Sequence, residues 1–350
     1  MSDPSSPRSR GQRTTMKQVA ALAGVGVKTV SRVLNNEPNV SADTASRVNA
    51  AVRALDYQID LQAGSLRRID GRTKTLGLLV GSVDNPFSGS IQRAVEDTAA
   101  RRQTAVFASS LDDDPSREES AVRAFLQRRV DGLILTTARP RPDYVGTLRS
   151  RGIPAAFIDR KPVDVDLDSV TSDNRSGAER ATAHLIRHGH RRIALLADRG
   201  ELETAAERHR GFLDAIGEAG IPTADTSVVM GLHDERAAHE ALRHLLASPE
   251  PPTAVFSAQN LVTVGAVHAL REARMQHSVA LIGFDDVPLA DLLDPGISVI
   301  AQNPYEIGRV AAERVFARLD GDDSEHEHIV IPTTLITRGS GEITAPRSAR

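Results

Sequence analysis

TTMKQVAALAGVGVKTVSRVLNN, residues 14–36, reads as two short helices joined by a tight turn. Thr15 can cap the first helix, and Gln18 stands three residues on, as a capping box requires. Val19, Leu22 and Ala23 recur at helical spacing and give that helix an apolar face. Gly24 falls in the turn, where a positive φ costs glycine little. The second helix begins near Gly26–Val27. Its Val30 and Leu34, four apart, face inward and leave Val27, Lys28, Ser31 and Arg32 for other contacts. Ala20 and Ala23 are small enough for two helices to cross closely. This is the helix-turn-helix pattern, whose second helix lies in the major groove of DNA. An ordinary helical hairpin in a core would share the spacing. The segment is amino-terminal, basic and too short to bury much, which favours the DNA-reading alternative.

Outward from this stretch, Ser41 can cap a third helix through about Leu55, with Val48, Val52 and Leu55 on one face closing a small three-helix core. Residues 57–68 hold one further helical turn or two. Gly64 weakens them, since Gly costs about 1 kcal/mol against Ala in a helix interior. Residues 69–75 are a polar linker. The opening MSDPSSPRSRGQR has no apolar stretch and reads as a disordered tail rather than a signal peptide.

Residues 1–75 hold 12 Lys and Arg against 6 Asp and Glu, and the remainder holds 31 against 40. A basic head on an acidic body suggests that only the head meets a polyanion. Apolar content of 40% supports buried cores. No apolar run is long enough for a membrane span. The chain has no Cys, which excludes disulfides and thiolate metal sites and fits a cytoplasmic protein.

From Leu76 the pattern changes. Apolar runs of strand length (LGLLV 76–80, TAVFA 104–108, GLILT 132–136, AAFI 155–158, RIALLA 192–197, SVVM 227–230, TAVFS 253–257, VALIGF 279–284 and SVI 298–300) alternate with amphipathic segments of helix length. Such alternation means parallel sheets flanked by helices, and nine strands suit two doubly wound halves. In open parallel sheets, ligands sit beyond the carboxyl ends of the strands. Candidate residues there are Asp84, Asn85 and Phe87, Asp159 and Arg160, Gln259 and Asn260, Asp285 and Asp286, and Gln302 and Asn303, all polar but Phe87. A cleft collecting carboxylates, amides and an aromatic ring suits a polyhydroxylated or heterocyclic small molecule.

Enzyme-like patterns are weak. His184, His188 and His190 lack the carboxylate base and third ligand of a zinc site and read as a helix end before Gly189. His326 and His328 fall in a charged, solvated loop. There is no G-x-S-x-G, no phosphate-binding G-x-x-x-x-G-K-[ST] and no G-x-G-x-x-G after a first strand. A binding protein without metal or cofactor is expected.

Thr15–Asn36 resembles the LacI–GalR repressors. So do DNRSGAERATAHLIRHGHRRIALLA (173–197), ERHRGF (207–212), ALIGFDDVPLA (280–290) and the Gln302-Asn303-Pro304 turn, in the family's order from about Thr15 to Gly341. The resemblance implies a multidomain chain. A small all-α helix-turn-helix domain (14–58) follows the tail (1–13). A hinge helix and linker (59–75) then lead to an α/β periplasmic-binding-protein-like core (76–341) of two doubly wound parallel-sheet subdomains. The first subdomain covers about 76–172 and 303–331, the second about 173–302 and 332–341, with a tail at 342–350.

The implied function is a cytoplasmic homodimeric repressor. It would bind a near-palindromic operator in double-stranded DNA under control of a small-molecule effector, a sugar first and a nucleoside second. A free solute receptor or an enzyme on the same scaffold is the alternative; the first needs export and the second a catalytic set. No heptad tail follows the core, which favours a dimer over a tetramer.

Residue by residue, Val27, Lys28 and Arg32 match the base-reading positions of the recognition helix. Lys or Arg there donates to guanine O6/N7, and Val touches a thymine methyl. Thr29 and Ser31 match backbone contacts, Leu66 the hinge leucine that wedges into the central base step, and Ala63 a hinge position in the minor groove. In the core, Asn85, Phe87, Asp159, Thr204, Arg208, His233, Asn260, Asp285 and Gln302 match effector-contacting positions. The departures are Gly26 for the usual Ser at the recognition-helix cap, Ile59 for Pro, Asp60 for Asn, Gly64 for a polar helix former, Gln259-Asn260 for Asn-Asp, and His233 for a stacking aromatic. The hinge changes imply that this segment orders poorly without DNA.

Overall fold

The computed structural model describes residues 14–34, 37–38, 40–57 and 72–346. The expected amino-terminal tail, the hinge positions Ile59, Asp60, Ala63, Gly64 and Leu66, and residues 347–350 lie outside the described residues. The chain forms two compact units, residues 1–73 and 74–350.

In the first unit, α1 (Met16–Ala23) starts on a capping box in which Thr15 and Gln18 satisfy each other's backbone N–H. It ends at Gly24, whose φ of 66° is left-handed. α2 (Val27–Leu34) and α3 (Ala42–Ala54) follow, the latter capped by the Ser41 hydroxyl. Val19, Val30 and Val48, one from each helix, are fully buried and form the centre of the core. Arg47 donates to the Ala23 carbonyl at 3.1 Å and ties α3 to the end of α1. On α2 the second buried residue is Val33, whereas Leu34, expected inside, is only half-buried. Val33 follows Val30 by three residues and so shares its face.

The second unit contains two six-stranded sheets. In chain order its elements are β1 (Thr75–Val80), α4 (Pro86–Arg101), β2 (Ala105–Ser110), α5 (Pro115–Gln127), β3 (Gly132–Leu135), α6 (Val145–Ser150), β4 (Ala155–Ile158) and β5 (Asp168–Ser172). Next come α7 (Asn174–Arg187), β6 (Ile193–Leu196), α8 (Glu203–Glu218), β7 (Ser227–Val229), α9 (Glu235–Leu246), β8 (Ala254–Ser257), α10 (Asn260–Glu272) and β9 (Ala280–Phe284). The last are β10 (Ser298–Ala301), α11 (Pro304–Leu319), β11 (His328–Ile331) and β12 (Thr334–Ile336). The first sheet runs β11-β5-β4-β3-β1-β2, all parallel. The second runs β12-β10-β9-β8-β6-β7, parallel except for antiparallel β12.

The central strands β3, β4, β6 and β8 are short apolar runs buried at every position, as helices on both faces require. The chain passes between the sheets three times: from β5 to α7, from β10 to α11, and from β11 to β12. Three strands, β5, β11 and β12, were not expected from the sequence. DSVTS, HIVI and TLI are short, and DSVTS is more polar than apolar, so neither period nor composition marks them. His328, expected in a loop, opens β11 and lies 2.9 Å from the Ser169 hydroxyl. Among the described residues, no helix is long and apolar enough to cross a membrane.

The two sheets repeat one plan. β4 and β9 hold the same place in their sheets, and each is followed by an aspartate in the left-handed region, Asp159 at φ 66° and Asp285 at φ 72°. Asp is among the few residues that tolerate this conformation. Asp159 N–H donates to Val170 O at 3.0 Å and Asp285 N–H to Ile300 O at 2.9 Å, so each acid is pinned by the neighbouring strand.

Candidate functional site

On α2, Val27 and Lys28 are exposed, while Thr29, Ser31 and Arg32 are half-buried. Arg32 is already engaged: its Nε lies 3.4 Å from Glu37 and its Nη2 donates to Pro38 O at 3.1 Å. These contacts hold the guanidinium at the end of the helix. Ala63 and Leu66 lie outside the described residues.

In the second unit a cavity of about 290 Å³ opens at the carboxyl ends of the strands of both sheets. Eight of the nine expected effector residues line it: Asn85, Phe87, Asp159, Thr204, Arg208, His233, Asp285 and Gln302. The ninth, Asn260, is not in its wall. Asn260 is 3% exposed and spends its amide on Asn85, which turns it into a cross-cleft tie. Gln259, which caps α10, lines the cavity in its place.

Arg208 is the centre of the polar wall. It lies on α8, which packs so closely on α7 that a Cβ at Gly211 would stand 2.0 Å from Arg175 O. That approach brings Arg208 Nε to Asn174 Oδ1 at 2.8 Å, while Nη1 donates to Ala258 O at 2.8 Å. The guanidinium lies 3.8 Å from the centroid of the Phe284 ring. Among the described residues, these bonds engage its Nε and Nη1. Gln302 Nε2 donates to Asp285 Oδ1 at 2.5 Å, and Gln302 Oε1 is buried with no partner among the described residues. Phe87 supplies the aromatic surface of the first half.

Burial pushes the Asp159 carboxyl above the ordinary carboxylate range, against the pull of Arg160 and Arg208. Burial does the same to Asp285, against Arg208 and the Gln302 amide. Burial also pulls the Arg208 guanidinium below its ordinary value, with Asp285 and Asp159 opposing. These ions have lost water and are incompletely compensated by the protein, so hydroxyl donors and acceptors entering the cavity would complete their shells.

The remaining strand-end residues divide. Asp286 is taken by Arg338 at 2.7 Å, and Asn303 caps α11. Asp113, Asp198 and Arg117, none of them expected, line the cavity. The rule that ligands lie beyond strand ends would have found the first two, since they follow β2 and β6. Asp113, Asp198 and His233 bring three potential metal-ligand atoms within 4.8 Å of one another.

The histidines 184, 188 and 190 are instead fastenings. His184 Nε2 lies 2.8 Å from Glu342, and His190 lies 2.8 Å from Ile343 O and 2.9 Å from Thr253 Oγ1. Ala345 N–H donates to His188 O at 3.0 Å. The expected tail at 342–350 is therefore bound to the core through Ala345, because these carbonyl and carboxylate groups satisfy buried imidazoles.

A helix-turn-helix unit followed by a two-sheet unit with a polar cleft defines a ligand-responsive DNA-binding regulator. Residues 15–60 match the model of bacterial regulatory proteins of the lacI family, and residues 73–339 match the periplasmic binding proteins and sugar binding domain of the LacI family. The chain belongs to the LacI family of transcriptional regulators. It is 32% identical to the ribose operon repressor of Escherichia coli K12 over 93% of this chain and 99% of that protein. Among solved structures, the transcriptional regulator CelR–cellobiose complex matches with 30% identity and a TM-score of 0.68, over 94% of this chain and all of that one. The Lac repressor dimer bound to operator and the anti-inducer ONPF shares the fold at a TM-score of 0.83 and 24% identity, over 94% and 99%.

Proposed function

We propose that this regulator is a cytoplasmic, homodimeric repressor switched by a neutral monosaccharide. The observation that carries the ligand class is the cavity itself. Its space of about 290 Å³ equals that of about ten waters at about 30 Å³ each, the scale of a pentose or hexose. Asp159 and Asp285 accept from hydroxyls, Arg208 Nη2 and Gln302 Oε1 hold the far side, Thr204 and His233 add polar edges, and Phe87 covers an apolar sugar face. The names of the ribose repressor and the cellobiose complex support a sugar, and the cavity size favours a single ring. No bond is made or broken in this reading, so the protein has no enzymatic role.

On DNA, Val27, Lys28 and Arg32 read bases, Thr29 and Ser31 hold the backbone, and Ala63 and Leu66 enter the minor groove. A homodimer presents two recognition helices to a near-palindromic site. The sugar acts through different affinities for two arrangements of the core halves, with coupling of about 1–3 kcal/mol. The test is a gel-shift on the native upstream DNA, with a thermal-shift screen of pentoses, hexoses and nucleosides run with and without that DNA. A monosaccharide that stabilises the free protein and releases it from DNA is expected. No DNA shift at any salt concentration would sink the repressor reading, and a response to nucleosides alone would sink the sugar.

A further inference from the structure

The two halves of the core also meet at the cavity through charge. Asp113 stands in the turn between β2 and α5, in the left-handed region at φ 53°. Asp198 and Arg199 follow β6, and His233 follows β7, all in the second half. His233 Nδ1 lies 3.2 Å from Asp198 Oδ1 and 3.9 Å from Asp113 Oδ2, and Arg199 Nη2 lies 3.5 Å from Asp113 Oδ2. The two carboxylates are each 9% exposed and the imidazole 49%. One carboxylate of the first half thus faces a guanidinium and an imidazole of the second.

We propose that Asp113, Arg199, Asp198 and His233 form an ionic latch across the cleft, and that the proton on His233 fastens it. A neutral imidazole can give its single N–H to Asp198 but brings no charge to Asp113. A protonated ring places a positive charge between both carboxylates. The other charges facing this group are Arg160, which holds Asp113 from its own side, and Arg199, which opposes protonation. Asp234, next in the chain, caps α9 instead.

The sign follows from His233. Its hydrogen bond to Asp198 raises its pKa above the ordinary histidine value, against burial and with help from Asp113. The open cleft lacks Asp113, so the closed form binds the proton more tightly. The Asp198 bond lies within the second half and is kept on opening, so Asp113 alone distinguishes the two forms, and the latch weakens as pH rises through the raised value. The same three ligand atoms have the spacing of a small cation site, but Asp113 already carries Arg160 and Arg199, which a metal would have to displace.

The consequence for effector affinity rests on the sugar reading; the latch itself needs no sugar. The chain has no Cys, so Arg128→Cys and Glu218→Cys, both exposed, accept spin labels at one site in each half. Label distances in the full chain, without sugar, are measured from about pH 6 to about pH 9. The closed-to-open ratio is expected to fall about two- to fivefold, the range of a partly exposed ion pair. That pH response should vanish in His233→Gln and in Asp113→Asn.

A pH-independent distance, or a response that survives His233→Gln, overturns the latch. Zinc chloride is expected to change nothing, and a zinc-driven shortening overturns the proton in favour of a metal. Failure of every sugar to bind overturns the effector assignment alone, because the label distances test the latch in the absence of sugar.

Discussion

Asn260 Nδ2 donates to Asn85 Oδ1 at 2.7 Å, and Asn85 Nδ2 donates back to Asn260 Oδ1 at 3.3 Å. The two residues are 175 apart in sequence and belong to different halves of the core. Each oxygen also accepts from the start of its own helix, Asn85 from Phe87 N at 3.0 Å and Asn260 from Leu261 N at 2.8 Å. The pair therefore ties the two helix starts to each other across the cleft.

Asn260→Leu removes the tie and keeps the bulk. A net hydrogen bond is worth about 1 kcal/mol, so effector affinity is expected to fall about fivefold with DNA binding retained. Calorimetry with the sugar identified by the screen checks it; an unchanged Kd would show that the pair does not hold the closed form.

Arg208→Lys keeps the charge but cannot reach Asn174 and Ala258 together or cover the Phe284 ring as a plane. Charge-assisted bonds are worth about 1.5–3 kcal/mol, so the expected loss of affinity is roughly ten- to a hundredfold. Gel-shifts of the same variant should show operator binding that sugar no longer relieves.

Asp168, at the start of β5, is 1% exposed; Arg318 Nε lies 2.8 Å away and Arg314 Nη2 3.3 Å. Burial works to raise its pKa, but the bonds from Arg318 and Glu327 N–H and the charge of Arg314 outweigh it and hold the carboxyl at about 2. A depressed folded-state value means stability present above the unfolded value of 3.8 and lost as pH falls toward 2. Asp168→Asn should cost about 2 kcal/mol at neutral pH, and its deficit should shrink below about pH 4. Urea titrations at several pH values measure both.

Glu203 shows the opposite sign. Burial, with Asp159 and Glu207 nearby, raises its pKa to about 7, and its Oε2 is buried without a partner among the described residues. Ionising it opposes folding, so the penalty grows as pH rises from the unfolded value of 4.5 to about 7. Glu203→Gln is expected to raise stability by about 1–3 kcal/mol at pH about 8 and by little at pH about 5. Equal melting-temperature gains at both would refute the assignment.

Much of the site was legible because strand ends repeat: Asp159 and Asp285 follow apolar runs that read as strands. Asn260 was legible as polar, but only its partner decides whether its amide faces the cavity. Asp113 and Asp198 obey the same strand-end rule but carry no distinguishing residue type. His184 and His190 read only as a helix end because their partners, Glu342 and Ile343, come from the far end of the chain.

The order of amino acids by itself determined the three-helix head, the α/β alternation and the family, since capping, period and apolar run length act between near neighbours. The tertiary structure alone decided the strands β5, β11 and β12, which no local pattern marks. It also decided that Asn85 meets Asn260 and that Asp113 meets Arg199 and His233. Three crossings between the sheets bring distant strand ends to one cleft, and no local preference encodes a contact made by residues far apart in the chain.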